Sequence, residues 1–180
     1  MWFELIKRYW QVSMLKDTPA NTPYSLLLLG LVAFIYYLLN LMQWSLVETD
    51  QLFSIDVSLL AGLMFIASDA LYTAALLLVS SKANRIVQSL TCLLACHVIV
   101  HICAFPLLII APWLYEAHLI EPLGLIIVIL YLSLTLMFTA WQLLITVHIY
   151  KHALAVDYLT AALASLGLLA CNILMVSFWR

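Results

Sequence analysis

Five stretches of the chain are longer and more apolar than a water-soluble core can use: residues 24–47, 57–79, 86–113, 123–147 and 158–179. A helix needs about 20 apolar residues to cross the hydrocarbon of a bilayer, and each stretch has them. In lipid the backbone must satisfy its own hydrogen bonds within the segment, so runs of this length are helices. A membrane barrel would show segments of about ten residues alternating apolar and polar, and the sequence has none. Composition agrees. The chain is 67% hydrophobic and 9% charged, whereas a soluble domain carries about 25% charged residues. The links ETDQLFSID, SSKANR, LYEAHLIEP and HIYKHALAVD are short, which favours antiparallel neighbours packed as one unit. The expected fold class is all-α: a polytopic bundle of five transmembrane helices over residues 21–180, preceded by a short amphipathic interfacial helix within residues 1–20.

Lysine and arginine set the expected orientation. Lys7, Arg8, Lys16, Lys82, Arg85 and Lys151 fall on one side of such a bundle, and Arg180 alone on the other. Glu48, Asp50, Asp56, Glu116 and Glu121 fall in links on the side poor in basic residues. The expectation is a multi-pass protein of a bacterial inner (plasma) membrane, N-terminus cytoplasmic and C-terminus outside. The segment MWFELIKRYWQVSMLKDTPAN lacks the continuous apolar run and small-residue cleavage site of a removable signal. It reads as an interfacial helix: Trp2, Phe3, Ile6, Tyr9, Trp10 and Met14 give an aromatic face, with Lys7, Arg8 and Lys16 able to meet anionic head groups. Docking on the bundle's own end is the competing reading. Thr22-Pro23 reads as the cap and first helical residue of span one, and Pro106 and Pro112 as bends or stops in span three.

The run CHVIVHICAFP places histidines and cysteines inside span three. At about 100° per residue His97 and His101 share one stripe, and Cys92, Cys96 and Cys103 share another, roughly 100° away. The two stripes do not converge on one metal. His118, His148 and His152 lie at other depths, so a bis-histidine haem is not supported. The cysteines read as packing residues, and with none in a link no disulfide framework is expected. His148 and His152 share a face with Trp141, suited to solvent, a metal or a lipid phosphate.

Asp69 is the conspicuous residue. An acid in mid-membrane costs at least about 2.5 kcal/mol on insertion scales and usually faces the interior with a partner. Counted along the helices, Asp69 of span two and His97 of span three lie at nearly one depth, and the short SSKANR link makes them candidate partners. Asp69 shares a stripe with Ser58, Gly62, Thr73 and Ser80. Span four carries Gly124, Tyr131, Thr135, Thr139, Gln142 and Thr146 at helical spacing; span five offers Ala161, Ser165 and Asn172; span one offers Gly30, Tyr37 and Asn40. The intramembrane polar candidates are therefore Asp69, His97, His101, Asn40, Thr135, Thr139, Gln142 and Asn172. Two meanings stay open: a proton or solute path through Asp69 and His97, or hydrogen-bonding glue between helices.

The five closely spaced spans, the N-terminal segment and the final pair AWQLLITVHIYKHALAVDYLTAALASLGLLACNILMV resemble the Yip-domain membrane proteins in their short bacterial form. The DLYGP run of eukaryotic members is not present. The resemblance implies a five-helix bundle and supplies no catalytic residues.

No phosphate loop, nucleophile–base pair, zinc-protease motif or nucleic-acid patch occurs. The expected function is non-enzymatic, without metal or cofactor: a partner-binding, assembly or membrane-organising factor. Its expected partners are the lipid bilayer and a membrane protein or a second copy through Ala161 and Ser165, with no nucleic acid. The alternatives are a small transporter or proton-coupled permease using Asp69 and His97, and a membrane redox or metal-binding protein.

Overall fold

The structure, a computed structural model, describes residues 2–47, 55–116 and 122–177. Glu48, Asp50, His118, Glu121, Trp179 and Arg180 lie outside the described residues, as do the side chains of Asp56 and Glu116.

Six α-helices are described: α1 (Trp2–Ser13), α2 (Leu26–Val47), α3 (Ile55–Val79), α4 (Ile86–Glu116), α5 (Pro122–Leu154) and α6 (Tyr158–Ser177). The last five are each long and apolar enough to cross a membrane. The protein is an all-α, multi-pass membrane bundle. Its outer surface is aliphatic: Leu27 is 80% exposed and Leu71 and Leu136 are each 70% exposed, contact that lipid makes without cost and water does not.

Around the bundle the helices follow the order α2, α4, α5, α6, α3, and α3 closes the ring against α2. The α3–α6 seam explains this order. Gly167 on α6 leaves room for the Tyr72 ring, whose Oη donates to the Ala164 carbonyl at 2.8 Å. On the other side of α3, Gly62 admits Tyr37, whose Oη donates to the Leu59 carbonyl at 3.0 Å. Small residues permitting close helix approach are the usual membrane device. The short link does bring α3 and α4 into contact, but α3 packs more extensively on α6.

Several local expectations shift. Helix α2 begins at Leu26, capped by Ser25, whose Oγ accepts the Leu28 N–H at 3.2 Å. Thr22 instead closes a 3₁₀ turn over Pro19–Asn21, donating to the Pro19 carbonyl at 2.7 Å. Helix α4 runs through Pro106 and Pro112 to Glu116. Helix α5 continues to Leu154 and takes in HIYKHAL, read from sequence as link. At about 1.5 Å per residue α4 and α5 extend roughly 46–50 Å, well beyond the about 30 Å of hydrocarbon.

The surplus length of α4 and α5 is used by the N-terminal segment, which both docks and presents an aromatic face. Tyr9, Val12 and Ser13 are buried against the bundle, and α1 packs on α4. The Trp141 indole donates to the Ser13 carbonyl at 2.8 Å, and His148 Nε2 donates to the Asp17 carbonyl at 2.8 Å. From α4, Gln88 Nε2 donates to the carbonyls of Ala20 and Thr22, and the Cys96 thiol to that of Tyr9 at 3.7 Å. The stripe of Trp141 and His148 thus clasps the chain's own backbone. Phe3, Ile6 and Trp10 stay exposed on a separate face of α1.

The end of the bundle carrying α1 (the near end) also holds the α3–α4 and α5–α6 links. Arg85 Nη1 donates to the carbonyls of His152 and Ala153 at 3.0 and 3.1 Å, capping α5, where a cation suits the negative helix end. Lys151 Nζ sits 3.5 Å over the Tyr158 ring. At the start of α6, Asp157 accepts the Thr160 hydroxyl at 2.5 Å, which holds its carboxyl below the usual range.

Candidate functional site

The interior polar groups sit at one level. Counted from the near end at about 1.5 Å per residue, Tyr36 on α2, Asp69 on α3 and His97 on α4 all lie roughly 15–17 Å deep. Asp69 and Tyr36 are fully buried and His97 is 3% exposed. Asp69 is the one acid or base of the Asp, Glu, Lys and Arg type buried to this degree among the described side chains.

Asp69 and His97 do not bond to each other. Asp69 Oδ1 accepts from Asn172 Nδ2 on α6 at 2.8 Å, a consequence of the α3–α6 seam. His97 Nε2 meets Thr146 Oγ on α5 at 3.3 Å. One level farther, His101 Nδ1 meets Gln43 Oε1 on α2 at 2.7 Å. The Tyr36 ring packs against both imidazoles, with centroids 5.9 Å from His97 and 5.4 Å from His101. Below this level Thr73 and Tyr150 share a 2.8 Å hydroxyl–hydroxyl bond.

Hydrogen-bond directions assign the tautomers. The Thr146 hydroxyl donates to the Gln142 carbonyl at 2.9 Å, so its oxygen accepts from His97, which must carry its proton on Nε2. His97 Nδ1 is then a bare lone pair, buried without a partner. Gln43 Oε1 can only accept, so His101 is protonated on Nδ1 and offers a lone pair at Nε2. Asp69 Oδ2, Asn172 Oδ1 and Tyr36 Oη are also buried without partners. A buried polar atom left without any partner costs about 1–3 kcal/mol, so each of these is a place where a water or a small polar group is stabilised.

A cavity of about 600 Å³ adjoins this layer. His97, His101, Gln142, Thr146, Ser165 and Asn172 form its polar floor, and Phe65, Leu136, Leu143, Leu168 and Ile173 its apolar walls. Leu136 and Ile173 are 70% and 57% exposed, so the cavity opens between the outer parts of α5 and α6. A smaller one of about 170 Å³ between α4 and α5 shares His101, Thr139 and Gln142 with it.

Of the sequence candidates, His97, His101, Thr139, Gln142 and Asn172 line the large cavity, and Asp69 stands directly behind Asn172. Thr135 lines only the smaller one. Thr135 and Thr139 do not join helices: both are exposed and donate to their own helix, to Tyr131 and Thr135 carbonyls at 2.9 Å. Asn40 is buried but likewise bonds its own helix, Nδ2 donating to the Tyr36 carbonyl at 2.8 Å. Ala161 and Ser165 are buried inside the bundle, so that small-residue face is already used. Tyr36, Gln43, Phe65 and Tyr150 were not singled out by sequence. Tyr36, Asn40 and Gln43 stand at i, i+4 and i+7, and that spacing was the available signal.

Among the described residues, no three His, Cys, Asp or Glu side chains come together. Comparison with protein-family models, curated proteins and solved structures returned no match.

Proposed function

We propose that the protein is a non-enzymatic binding protein of the membrane, which works by holding a small, partly apolar molecule in the crevice between α5 and α6. The observation that carries this is the conjunction of an intramembrane cavity of about 600 Å³ with an unsatisfied polar floor. Ligand pockets of this kind are apolar-walled, with a few converging polar groups. The lateral opening past Leu136 and Ile173 gives access from the bilayer itself. The positive-inside bias supports N-terminus cytoplasmic in a bacterial inner membrane, and the five-span plan fits a Yip-like kinship; both belong to the proposal.

The test uses Ala140, which lines the cavity and is exposed, so a bulky replacement fills space without disturbing the core. Wild type and Ala140→Trp are extracted from native membranes in polymer discs, and bound small molecules are identified by mass spectrometry. Wild type is expected to retain a species that the variant loses. Identical inventories overturn the reading.

A second reading is a proton-coupled permease. It is favoured by Asp69, an acid one hydrogen bond behind the cavity wall, while the N-terminal segment packs across the near end. Flux into proteoliposomes by wild type and Asp69→Asn decides it: equal, leak-level flux in both removes transport.

A further inference from the structure

The cavity wall has a bias in the hydrogen-bonding groups that it leaves free. The hydroxyls on α5 and α6 have already committed their hydrogens. Thr139 donates to the Thr135 carbonyl, Thr146 to Gln142, Ser165 to Ala161 and Ser177 to Ile173, all between 2.8 and 2.9 Å. What these groups have left to offer is lone pairs. The tautomers derived above leave His101 with a lone pair at Nε2 and His97 with a buried one at Nδ1. Asn172 has given one of its two N–H groups to Asp69 and keeps the other, beside a buried Oδ1 that has no partner. Among the described wall residues the N–H donors left over are the two of the Gln142 amide and the second one of Asn172. A wall rich in acceptors, short of donors and backed by a carboxyl group is complementary to a molecule that donates.

We propose that the occupant is a lipophilic primary or secondary amine, bound as its ammonium form with N–H groups directed at the floor of the cavity. The inference rests on the cavity reading above and names its ligand class. Three features select an amine over a polyol or a sugar. The walls formed by Leu136, Leu143, Leu168 and Ile173 are apolar and exclude a hydroxylated body. Asp69 supplies a counter-charge one hydrogen bond away through Asn172, so ligand and acid together stay net neutral in lipid, whichever holds the proton. Phe65 in the wall adds an aromatic ring, a group that attracts cations. Acids, phosphates and carbonyl compounds would meet mostly lone pairs and the Asp69 carboxyl, with only the Gln142 amide and one Asn172 N–H to bond them.

The test is calorimetric titration of the protein in nanodiscs of zwitterionic lipid, with heats from empty discs subtracted. Three probes share one apolar body: phenylbutylammonium, its trimethylated analogue, which keeps the charge and has no N–H, and phenylbutanol. The primary ammonium is expected to bind wild type about tenfold tighter than either of the others, the effect of one charge-assisted hydrogen bond. Asp69→Asn, which keeps an acceptor for Asn172, is expected to lower ammonium affinity about tenfold and to leave phenylbutanol unchanged. Equal binding of the trimethylated probe overturns the role of the donors. Tighter or equal binding of phenylbutanol overturns the amine class and leaves the cavity reading standing. No saturable binding of any probe to wild type overturns both together. The comparison of probes on wild type decides the matter even where the variant fails to fold.

Discussion

At the scale of single residues, the bundle depends on a few contacts that cannot be softened. A Cβ at position 167 would run into Tyr72 Oη and lie 3.1 Å from its Cζ, while that hydroxyl is held by the Ala164 carbonyl. Gly167→Ala is expected to destabilise the protein by about 1–3 kcal/mol, read as a lower midpoint in thermal unfolding in detergent. Adding Tyr72→Phe, which removes the obstructing oxygen, is expected to recover part of that loss. Tyr9 makes a second prediction. Burial, and after it the thiols of Cys92 and Cys96, push its phenol above the ordinary value. The folded state favours the neutral phenol, so this contribution is complete below about pH 10 and lost as pH rises through the higher folded value. The phenolate absorbance of wild type minus that of Tyr9→Phe is expected to appear only above the ordinary tyrosine range. A difference centred on the ordinary value would show Tyr9 to be solvated. Much at this scale was legible in the sequence: Asp69, His97, His101, Gln142 and Asn172 stood out as polar atoms in apolar helices. Their pairing was not. Depth alone matched Asp69 with His97, but which helix faces which depends on rotation about the axes, and the Gly167–Tyr72 fit settles that in favour of Asn172.

At the scale of elements, length rather than composition decides the roles. Helices α4 and α5 outrun the hydrocarbon, and their surplus turns hold α1 and the turn after it. The sequence displayed the spans because apolar runs are their own signal, with start points within two or three residues of those found. It concealed the near end of α5, where HIYKHAL is polar enough to resemble a link yet stays helical under the cap provided by Arg85. The aromatic face of α1 was visible, and its docking face was hidden in the same residues: Tyr9 belongs to the second and Trp10 to the first. Trp141→Phe removes the indole donor to Ser13 at a cost of about 1 kcal/mol. Amide exchange across residues 2–13 is therefore expected to quicken about fivefold, with α2 and α4 unaffected. Unchanged protection of α1 would assign its docking to apolar contact alone.

For the whole molecule, the ring order α2, α4, α5, α6, α3 gives each of these five helices two neighbours and turns Tyr36, Asp69 and His97 inward. If all five apolar helices cross, the segments before α2 and after α6 lie on opposite faces of the membrane, and the proposed orientation puts the N-terminal basic cluster in the cytoplasm. On the proposed placement in a bacterial inner membrane, a periplasm-dependent reporter fused after Arg180 is expected to be active and one fused before Met1 silent; the reverse pattern would invert the orientation while sparing the fold. The closed ring also has a history written into it. Asp69 and Asn172 are 103 positions apart along the chain. At roughly 5–20 residues per second, a ribosome takes on the order of 5–20 s to travel from one to the other. Through that interval the nascent third helix has a carboxyl group and no amide to meet it. An unpaired acid at that depth costs at least about 2.5 kcal/mol on insertion scales, so the bond to Asn172 is a contribution that this helix gains only late in synthesis.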